Sequence, residues 1–283
     1  MKKNEYHERI VQYYLESENA YKDSWDLNNS LAIHYGYWDD KVKSFAQSLL
    51  RMSEVMMETA NITSSDKVLD AGCGVGGSSI FLATTLGCHV TGITLSEKQV
   101  QQAGTNALKK GVDDLTSFQV MNYAQTTFPD ASFDVVWGCE SICYADDKEQ
   151  FVKEAWRLLK PGGRLVVADG FIPLFENNDH PYNRKWLDGW QVNYLETSER
   201  FASFMEKAGF TGIKYRDITK ETSHSAHRLY RFYFLAKIYL GWLKISRNKK
   251  ASPMEQGNID ACKFQFLARK KGLTGYGIIV GTK

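Results

Sequence analysis

Apolar side chains recur every three or four positions between residues 4 and 60, which is the period of an amphipathic helix. The members of this pattern are Ile10, Tyr13, Tyr14, Phe45, Leu49, Met52 and Met56. An aromatic stretch, His34-Tyr-Gly-Tyr-Trp38, interrupts them and is predicted to form a loop. Residues 1–60 are therefore predicted to form an N-terminal helical cap.

From Lys67 onward, short apolar runs alternate with helical segments. Strands are predicted at 67–71, 89–94, 116–120, 133–138 and 164–168, and helices at 76–86, 96–110 and 147–159. Further helices are predicted around 197–208, 225–246 and 253–271, with strands near 212–217 and 276–282. Apolar strands separated by helices are typical of a parallel sheet covered on both faces. The predicted fold class is α/β, with a Rossmann-like, mostly parallel sheet between two layers of helices.

The first predicted strand runs into a glycine-rich turn, Val68-Leu-Asp-Ala-Gly-Cys-Gly-Val-Gly-Gly77. Glycines here let the main chain turn tightly and approach a ligand without an intervening Cβ. Their spacing also satisfies the dinucleotide fingerprint of nicotinamide enzymes. Asp70 precedes the glycines, however, and the next strand ends at Thr94 without the acid that binds ribose in those enzymes. A nicotinamide oxidoreductase is therefore disfavoured but stays open as an alternative.

The net charge, the cysteines and the apolar segments of the chain argue against several classes of partner and site. The 283 residues carry a formal net charge of +2 with no strongly basic half or tail, which argues against a nucleic-acid partner. Five cysteines without a Cys-x-x-Cys pair predict neither disulfides nor a metal site. The cysteines are therefore expected to be reduced thiols, and a cytoplasmic location is predicted for the protein. Neither a secretory signal nor a transmembrane segment is predicted, since Arg231, Lys237 and Lys244 interrupt the apolar stretch 229–245.

Several segments together resemble the class I S-adenosylmethionine-dependent methyltransferases. The resemblance runs in order through Leu69-Asp-Ala-Gly-Cys-Gly-Val-Gly-Gly77, Gly92-Ile-Thr-Leu-Ser96, Phe128-Pro-Asp-Ala-Ser-Phe-Asp-Val-Val-Trp137 and Leu158-Leu-Lys-Pro-Gly-Gly-Arg164. Gly76-Gly-Ser-Ser79 and Glu140-Ser-Ile142 further resemble the branch that methylates tocopherols, sterols and prenyl diphosphates. The resemblance implies a seven-stranded sheet whose last strand lies antiparallel between the fifth and sixth. It also implies S-adenosyl-L-methionine as the cofactor.

The resemblance also implies where this cofactor binds, at the carboxyl ends of the strands. The glycine turn should hold the methionine part by its backbone, with Asp70 orienting the turn. Thr94 and Gln99 stand where many members place a ribose-binding acid, and Asn122 stands where many place an acid for the adenine amino group. The predicted cofactor residues are Tyr35, Asp70, Gly72, Cys73, Gly74, Thr94, Leu95, Gln99, Asn122, Tyr123 and Glu140.

Glu140 is the first candidate for a catalytic residue. It follows the predicted strand 133–138 at the carboxyl edge, where apolar neighbours could raise its pKa and make it a proton acceptor. Tyr144, four residues later, is the second candidate, because it could hydrogen-bond Glu140 or face a cation. A loop-tethering role for Glu140 and a core-packing role for Tyr144 stay open.

Aromatic residues outside the sheet are the candidates for acceptor binding. The loop around Tyr35 is expected to close the cofactor side, because ring faces favour a sulfonium and exclude water. The segment 227–242 is unusually aromatic, which favours an apolar chamber or a face at a membrane interface. The predicted acceptor residues are Tyr21, Trp38, His180, Trp186, Trp190, Tyr230 and Phe234. Core packing is the alternative for these rings.

The sequence thus predicts a methyltransferase that acts on a small, largely apolar acceptor. Residues 61–283 would form the catalytic domain, with a helical substrate insertion at about 220–272. Carbon methylation of an isoprenoid or prenylated metabolite is placed ahead of N- or O-methylation of an aromatic or amine product. A non-catalytic module that binds the cofactor or a lipid is a third alternative. Peripheral membrane contact and a diphosphate on basic residues such as Arg228 and Arg231 stay open.

Overall fold

A seven-stranded sheet forms the centre of the computed structural model, which describes residues 3–25, 27–247 and 251–283. The helices are α1 (Lys3–Trp25), α2 (Leu27–Ser30), α3 (Phe45–Thr59), α4 (Gly77–Leu86), α5 (Glu97–Lys110), α6 (Lys148–Leu158), α7 (Pro181–Gly189), α8 (Ser198–Ala208), α9 (Ser223–Arg247) and α10 (Pro253–Lys270). The strands are β1 (Lys67–Ala71), β2 (His89–Thr94), β3 (Thr116–Val120), β4 (Phe133–Cys139), β5 (Leu159–Phe171), β6 (Thr211–Asp217) and β7 (Gly275–Thr282).

The strand order is β3-β2-β1-β4-β5-β7-β6. Strands β1 to β5 pair in parallel, whereas β7 lies antiparallel between β5 and β6. The predicted Rossmann-like fold and the predicted place of the last strand are confirmed. Because the chain changes direction across the sheet between β1 and β4, the carboxyl ends of these two strands flank a crevice.

Side chains on the two faces of the sheet pack into separate cores. Along β4, Val135 belongs to the core that includes α3 and α4, whereas the next residue, Val136, belongs to the core that includes α6 and α8. Alternation of this kind follows from the pleat of a strand buried on both faces. Leu49 and Met52 of α3 share the first core, and the predicted division of domains at residue 60 stays a prediction.

Helices α7, α9 and α10 pack together beside the carboxyl edge of the sheet. A capping box fixes the start of α10, where the Ser252 side chain accepts from the backbone of Glu255 and the Glu255 carboxylate accepts from the backbone of Ser252. Helices α7 and α10 approach closely at two glycines: a Cβ added to Gly189 would lie 2.3 Å from the carbonyl oxygen of Gly257. This contact holds α7 closely against α10.

We expect Gly189→Ala to destabilise the protein by about 1–3 kcal/mol, because the methyl group would collide with main chain that cannot rotate away. Gly104→Ala is the matched control. Gly104 lies inside α5 with no atom within 4 Å of its Cβ position, so alanine there should raise stability by about 0.5–1 kcal/mol. Urea unfolding of both variants measures the two signs, and equal effects would contradict close packing of α7 on α10.

Candidate active site

The glycine turn is held in place by the strands on either side of it. The backbone N–H groups of Gly72 and Cys73 donate to the carbonyl of Ile93 in β2, at 2.9 and 3.0 Å. On the other side, the Ser141 hydroxyl donates to the carbonyl of Ala71. Gly72 has φ +93, and a Cβ there would lie 2.3 Å from the Cβ of Ser141. Only glycine fits this position, because both the backbone conformation and the space require it.

Asp70 lies buried beneath the turn. One carboxylate oxygen accepts from the Ser79 hydroxyl at 2.7 Å, which links the end of β1 to the first turn of α4. Burial raises the pKa of Asp70 to about 6. The contact with Ser79 joins the two ends of the glycine turn, and the role of Asp70 in orienting the turn stays a prediction.

A cavity opens above the glycine turn, and we call it the loop cavity. It contains about 1210 Å³ of space, part of it open to solvent. Every predicted cofactor residue except Tyr35 lines it, namely Asp70, Gly72, Cys73, Gly74, Thr94, Leu95, Gln99, Asn122, Tyr123 and Glu140. The turn presents bare backbone to this space, because no atom lies within 4 Å of a Cβ position on Gly74.

Three polar side chains of the loop cavity are tied to one another or to the backbone. The Thr94 hydroxyl donates to the Gln99 side-chain oxygen at 2.6 Å, so the two residues form a single polar unit at the end of β2. The Asn122 side-chain oxygen accepts from the backbone N–H of Ala124 at 2.9 Å, which is the role of a turn residue. Asn122 nevertheless lines the cavity, and a carbonyl oxygen has a second lone pair available.

Helix α1 covers the loop cavity, which the sequence reasoning did not foresee. Its side chains His7, Ile10, Val11 and Tyr14 line the cavity, together with residues 31–34. The His7 ring is 3.1 Å from a carboxylate oxygen of Asp146, in the segment after β4. The helical spacing of Ile10 and Tyr14 indicated a buried face but not what it covers.

A second cavity lies beside the first, between the sheet edge and helices α7, α9 and α10, and we call it the aromatic cavity. Six predicted residues line it: Tyr21, Tyr35, Glu140, Tyr144, Trp186 and Trp190. Rings and side chains that the sequence did not single out complete the wall, among them Tyr14, Trp25, Asp169, Phe232, Arg269 and Tyr276. Nothing in the pattern marked Arg269 or Tyr276, since each lies in an ordinary helix or strand.

Five of the predicted residues do not line the cavity expected for them, and their roles stay predictions. Tyr35 lines the aromatic cavity instead of the loop cavity, because its ring packs edge-on against Tyr276 at 5.7 Å. The other four lie outside both cavities: Trp38 stacks on His224, His180 caps α7, Tyr230 stacks on Phe266, and Phe234 is 48% exposed. On α9 it is Leu229 and Phe232 that face the aromatic cavity. Around the helix axis, Leu229 lies about a quarter of a turn and Phe232 nearly half a turn from Tyr230.

Glu140 lies where the two cavities meet. Tyr14, Ile33, Glu140 and Tyr144 line both of them. The backbone of Glu140 is left-handed, with φ 47, which is uncommon for a residue with a side chain and typical of functional sites. One carboxylate oxygen accepts from the backbone N–H of Tyr35 and from the Tyr276 hydroxyl, the latter at 2.8 Å.

Burial raises the pKa of Glu140 to about 8, and the neighbouring Asp169 acts in the same direction. The hydrogen bond from Tyr35, the one from Tyr276 and the charge of Arg269 oppose this rise. Burial also raises the pKa of Asp169, whose carboxylate accepts from the Cys143 backbone N–H at 2.8 Å. A carboxyl group with a pKa near neutral is suited to accept a proton.

Arg269 places a positive charge in the wall of the aromatic cavity. Its guanidinium lies 4.7 Å from the centre of the Tyr35 ring and donates to the Thr222 hydroxyl at 2.9 Å. Its buried Nε makes no hydrogen bond within the described part of the chain. The wall of the cavity is therefore mostly apolar. The Glu140 carboxyl group and the Arg269 guanidinium are among its ionisable groups, and both lie beside the Tyr35 and Tyr276 rings.

We expect the melting temperature of Glu140→Gln to rise relative to that of wild type as the pH increases from about 5 to about 8. Above that range the difference between the two melting temperatures should stay constant. The folded protein keeps on Glu140 a proton that the unfolded chain releases, so ionisation destabilises the fold in this window. Glutamine stays neutral and can accept the same two hydrogen bonds. Glu206→Gln, at an exposed position, is the control. A pH-independent difference for Glu140→Gln would contradict the raised pKa.

Comparison with known proteins identifies the family. Residues 69–167 match the methyltransferase domain. The 27-O-demethylrifamycin SV methyltransferase of Amycolatopsis mediterranei (strain S699) is 38% identical over 208 residues, which cover 73% of this chain and 76% of that enzyme. The 2-methyl-6-phytyl-1,4-hydroquinone methyltransferase of a Synechocystis species is 37% identical over 209 residues, 68% of this chain and 64% of that enzyme.

The crystal structure of the cyclase SpnF has a TM-score of 0.78 to this structure at 22% identity, covering 98% of this chain and 96% of that one. At this identity the likeness shows the fold alone. The sequence relatives carry the assignment further, because the Amycolatopsis enzyme is 38% identical and the match covers 76% of its length. The chain belongs to the class I S-adenosylmethionine-dependent methyltransferases, and its cofactor is S-adenosyl-L-methionine.

Proposed function

We propose that the loop cavity binds the cofactor, that the aromatic cavity binds the acceptor, and that the methyl group passes between them beside Glu140. The observation that carries this proposal is the shared lining: Glu140, Tyr14, Ile33 and Tyr144 belong to both cavities. Two ligands in these cavities would meet at one place, which is the arrangement that a displacement between two bound molecules requires.

The residues of the loop cavity fit the cofactor. S-adenosyl-L-methionine supplies a methyl group on a positively charged sulfur. The open backbone at Gly74 can approach a ligand closely, and the linked Thr94 and Gln99 leave the Gln99 amide group able to donate to hydroxyl oxygens. The rings of Tyr14 and Tyr123 could contact the positively charged sulfur or the adenine base of the cofactor.

The aromatic cavity favours a largely apolar acceptor that carries a hydroxyl group. Its wall consists mostly of rings and aliphatic side chains, with polar groups near Glu140 and Arg269. Glu140 would accept the hydroxyl proton, and Tyr276 would hold the carboxylate in place. The names of two relatives, a rifamycin O-methyltransferase and a phytyl-hydroquinone methyltransferase, support acceptors of this kind. O-methylation is therefore our first candidate.

Carbon methylation of an isoprenoid is the second candidate, and the density of rings favours it. Tyr21, Tyr35, Trp190 and Tyr276 surround the same space, and ring faces stabilise a carbocation. Glu140 would then remove a proton from carbon. Transfer of an isotope-labelled methyl group to a prenylated hydroquinone, followed by NMR of the product, distinguishes the oxygen from the carbon.

We expect Gly74→Asp to weaken the binding of S-adenosylhomocysteine by about 100-fold or more, because the new charge would enter the cavity. Gly87→Asp is the matched control: Gly87 also has a positive φ and open space around its Cβ position, but it lies at the far end of α4. Isothermal titration calorimetry measures both. Unchanged affinity in Gly74→Asp would remove the site from this loop.

We expect Glu140→Gln to lose about 10²- to 10⁴-fold in turnover, as for loss of a proton acceptor, with the affinity for S-adenosylhomocysteine kept within a few-fold. Tyr276→Phe should lower turnover less, because it removes one hydrogen bond from a carboxylate that stays in place. Radiolabel transfer and calorimetry give the two readouts. Wild-type turnover in Glu140→Gln would assign proton removal to another group.

A further inference from the structure

Helix α9 is apolar on two opposite faces. Ala226, Leu229 and Ala236 are buried against the rest of the protein. The opposite face is exposed over most of the second half of the helix and forms what we call the α9 stripe. The α9 stripe consists of Phe234, Leu235, Ile238, Tyr239, Trp242 and Ile245.

The α9 stripe differs from scattered apolar residues on a protein surface. Its members follow helical spacing and so form a continuous band, with Ile238 71% and Ile245 87% exposed. Leu108 on α5 is exposed to a similar degree, 66%, but has no such band around it. A helix that is apolar all round is normally covered on all sides, and a large exposed apolar patch marks an interaction surface.

The charges of α9 indicate what covers the α9 stripe. Residues 223–247 contain no Asp or Glu but five Arg and Lys residues, and the sequence continues with Asn248-Lys-Lys250. Arg231 and Lys244 are exposed beside the stripe. A symmetric dimer through this face would bring these positive charges together, which is unfavourable. An anionic surface would attract them.

The aromatic members of the α9 stripe are also of the kind found at lipid headgroups. The rings of Tyr239 and Trp242 stack with centres 6.2 Å apart. Such rings have an apolar body and a polar tip, which suits them to the boundary between water and hydrocarbon. No helix among the described residues is long and apolar enough to cross a bilayer, so contact through α9 would lie along the surface.

We propose that the α9 stripe docks on the surface of a lipid bilayer that carries anionic headgroups. Leu229 and Phe232, in the first half of the same helix, line the aromatic cavity. Docking would therefore place the acceptor cavity one helix away from the bilayer, where an apolar acceptor would dissolve. The link to the acceptor rests on the proposed function, whereas lipid binding itself needs neither the cofactor nor an acceptor.

The test is flotation of the full chain with phosphatidylcholine vesicles that contain or lack phosphatidylglycerol. We expect binding to the anionic vesicles, weakened by added salt. Ile238→Glu combined with Ile245→Glu should weaken it by about tenfold or more, because two large apolar side chains no longer enter the interface. Leu108→Glu, at a comparably exposed position, is the matched control and should bind as wild type does.

Depth of insertion is the second readout. Brominated lipids should quench tryptophan fluorescence in wild type, and Trp242→Phe should reduce that quenching. The proposal is overturned if wild type fails to float with anionic vesicles, or if Leu108→Glu weakens binding as much as the α9 variants. It is equally overturned if sedimentation shows a dimer that Ile238→Glu dissociates and vesicles do not bind, since the stripe would then be a contact between two copies.

Discussion

The hydrogen bonds of Glu140 hold the candidate active site together. Its carboxylate accepts from the Tyr35 backbone, in the loop after α2, and from the Tyr276 hydroxyl on β7, while its own backbone N–H donates to Ala168 on β5. These contacts tie the N-terminal segment to three strands of the sheet. The left-handed backbone at Glu140 is maintained by them, because an isolated chain would leave that conformation.

A carboxyl group enclosed in this way is costly to ionise, and this cost sets the pH range in which Glu140 can accept a proton. Burial keeps a proton on Glu140 to a higher pH than in water, whereas Arg269 and the two hydrogen-bond donors oppose the effect. The balance leaves the group able to change its protonation state near neutral pH.

The sequence predicted the sheet and the loop cavity well because both depend on local patterns. The glycine turn, Asp70 and the residues after β2 and β3 lie within a few positions of strand ends, so topology alone brings them together. The aromatic cavity depends instead on how α7, α9 and α10 rotate and on where α1 packs. The sequence showed that α9 has more aromatic residues than an ordinary surface helix. It did not show that Phe232 faces the cavity while Phe234 faces outward. Arg269 and Tyr276 reach the site through tertiary contacts that no local signal marks.

A crystal structure with S-adenosylhomocysteine would show whether the two cavities divide the cofactor from the acceptor. We expect the nucleoside to occupy the loop cavity against Gly72 and Gly74, with its sulfur on the side facing Glu140 and the aromatic cavity left free for the acceptor. Nucleoside density in the aromatic cavity, or a sulfur directed away from Glu140, would contradict it.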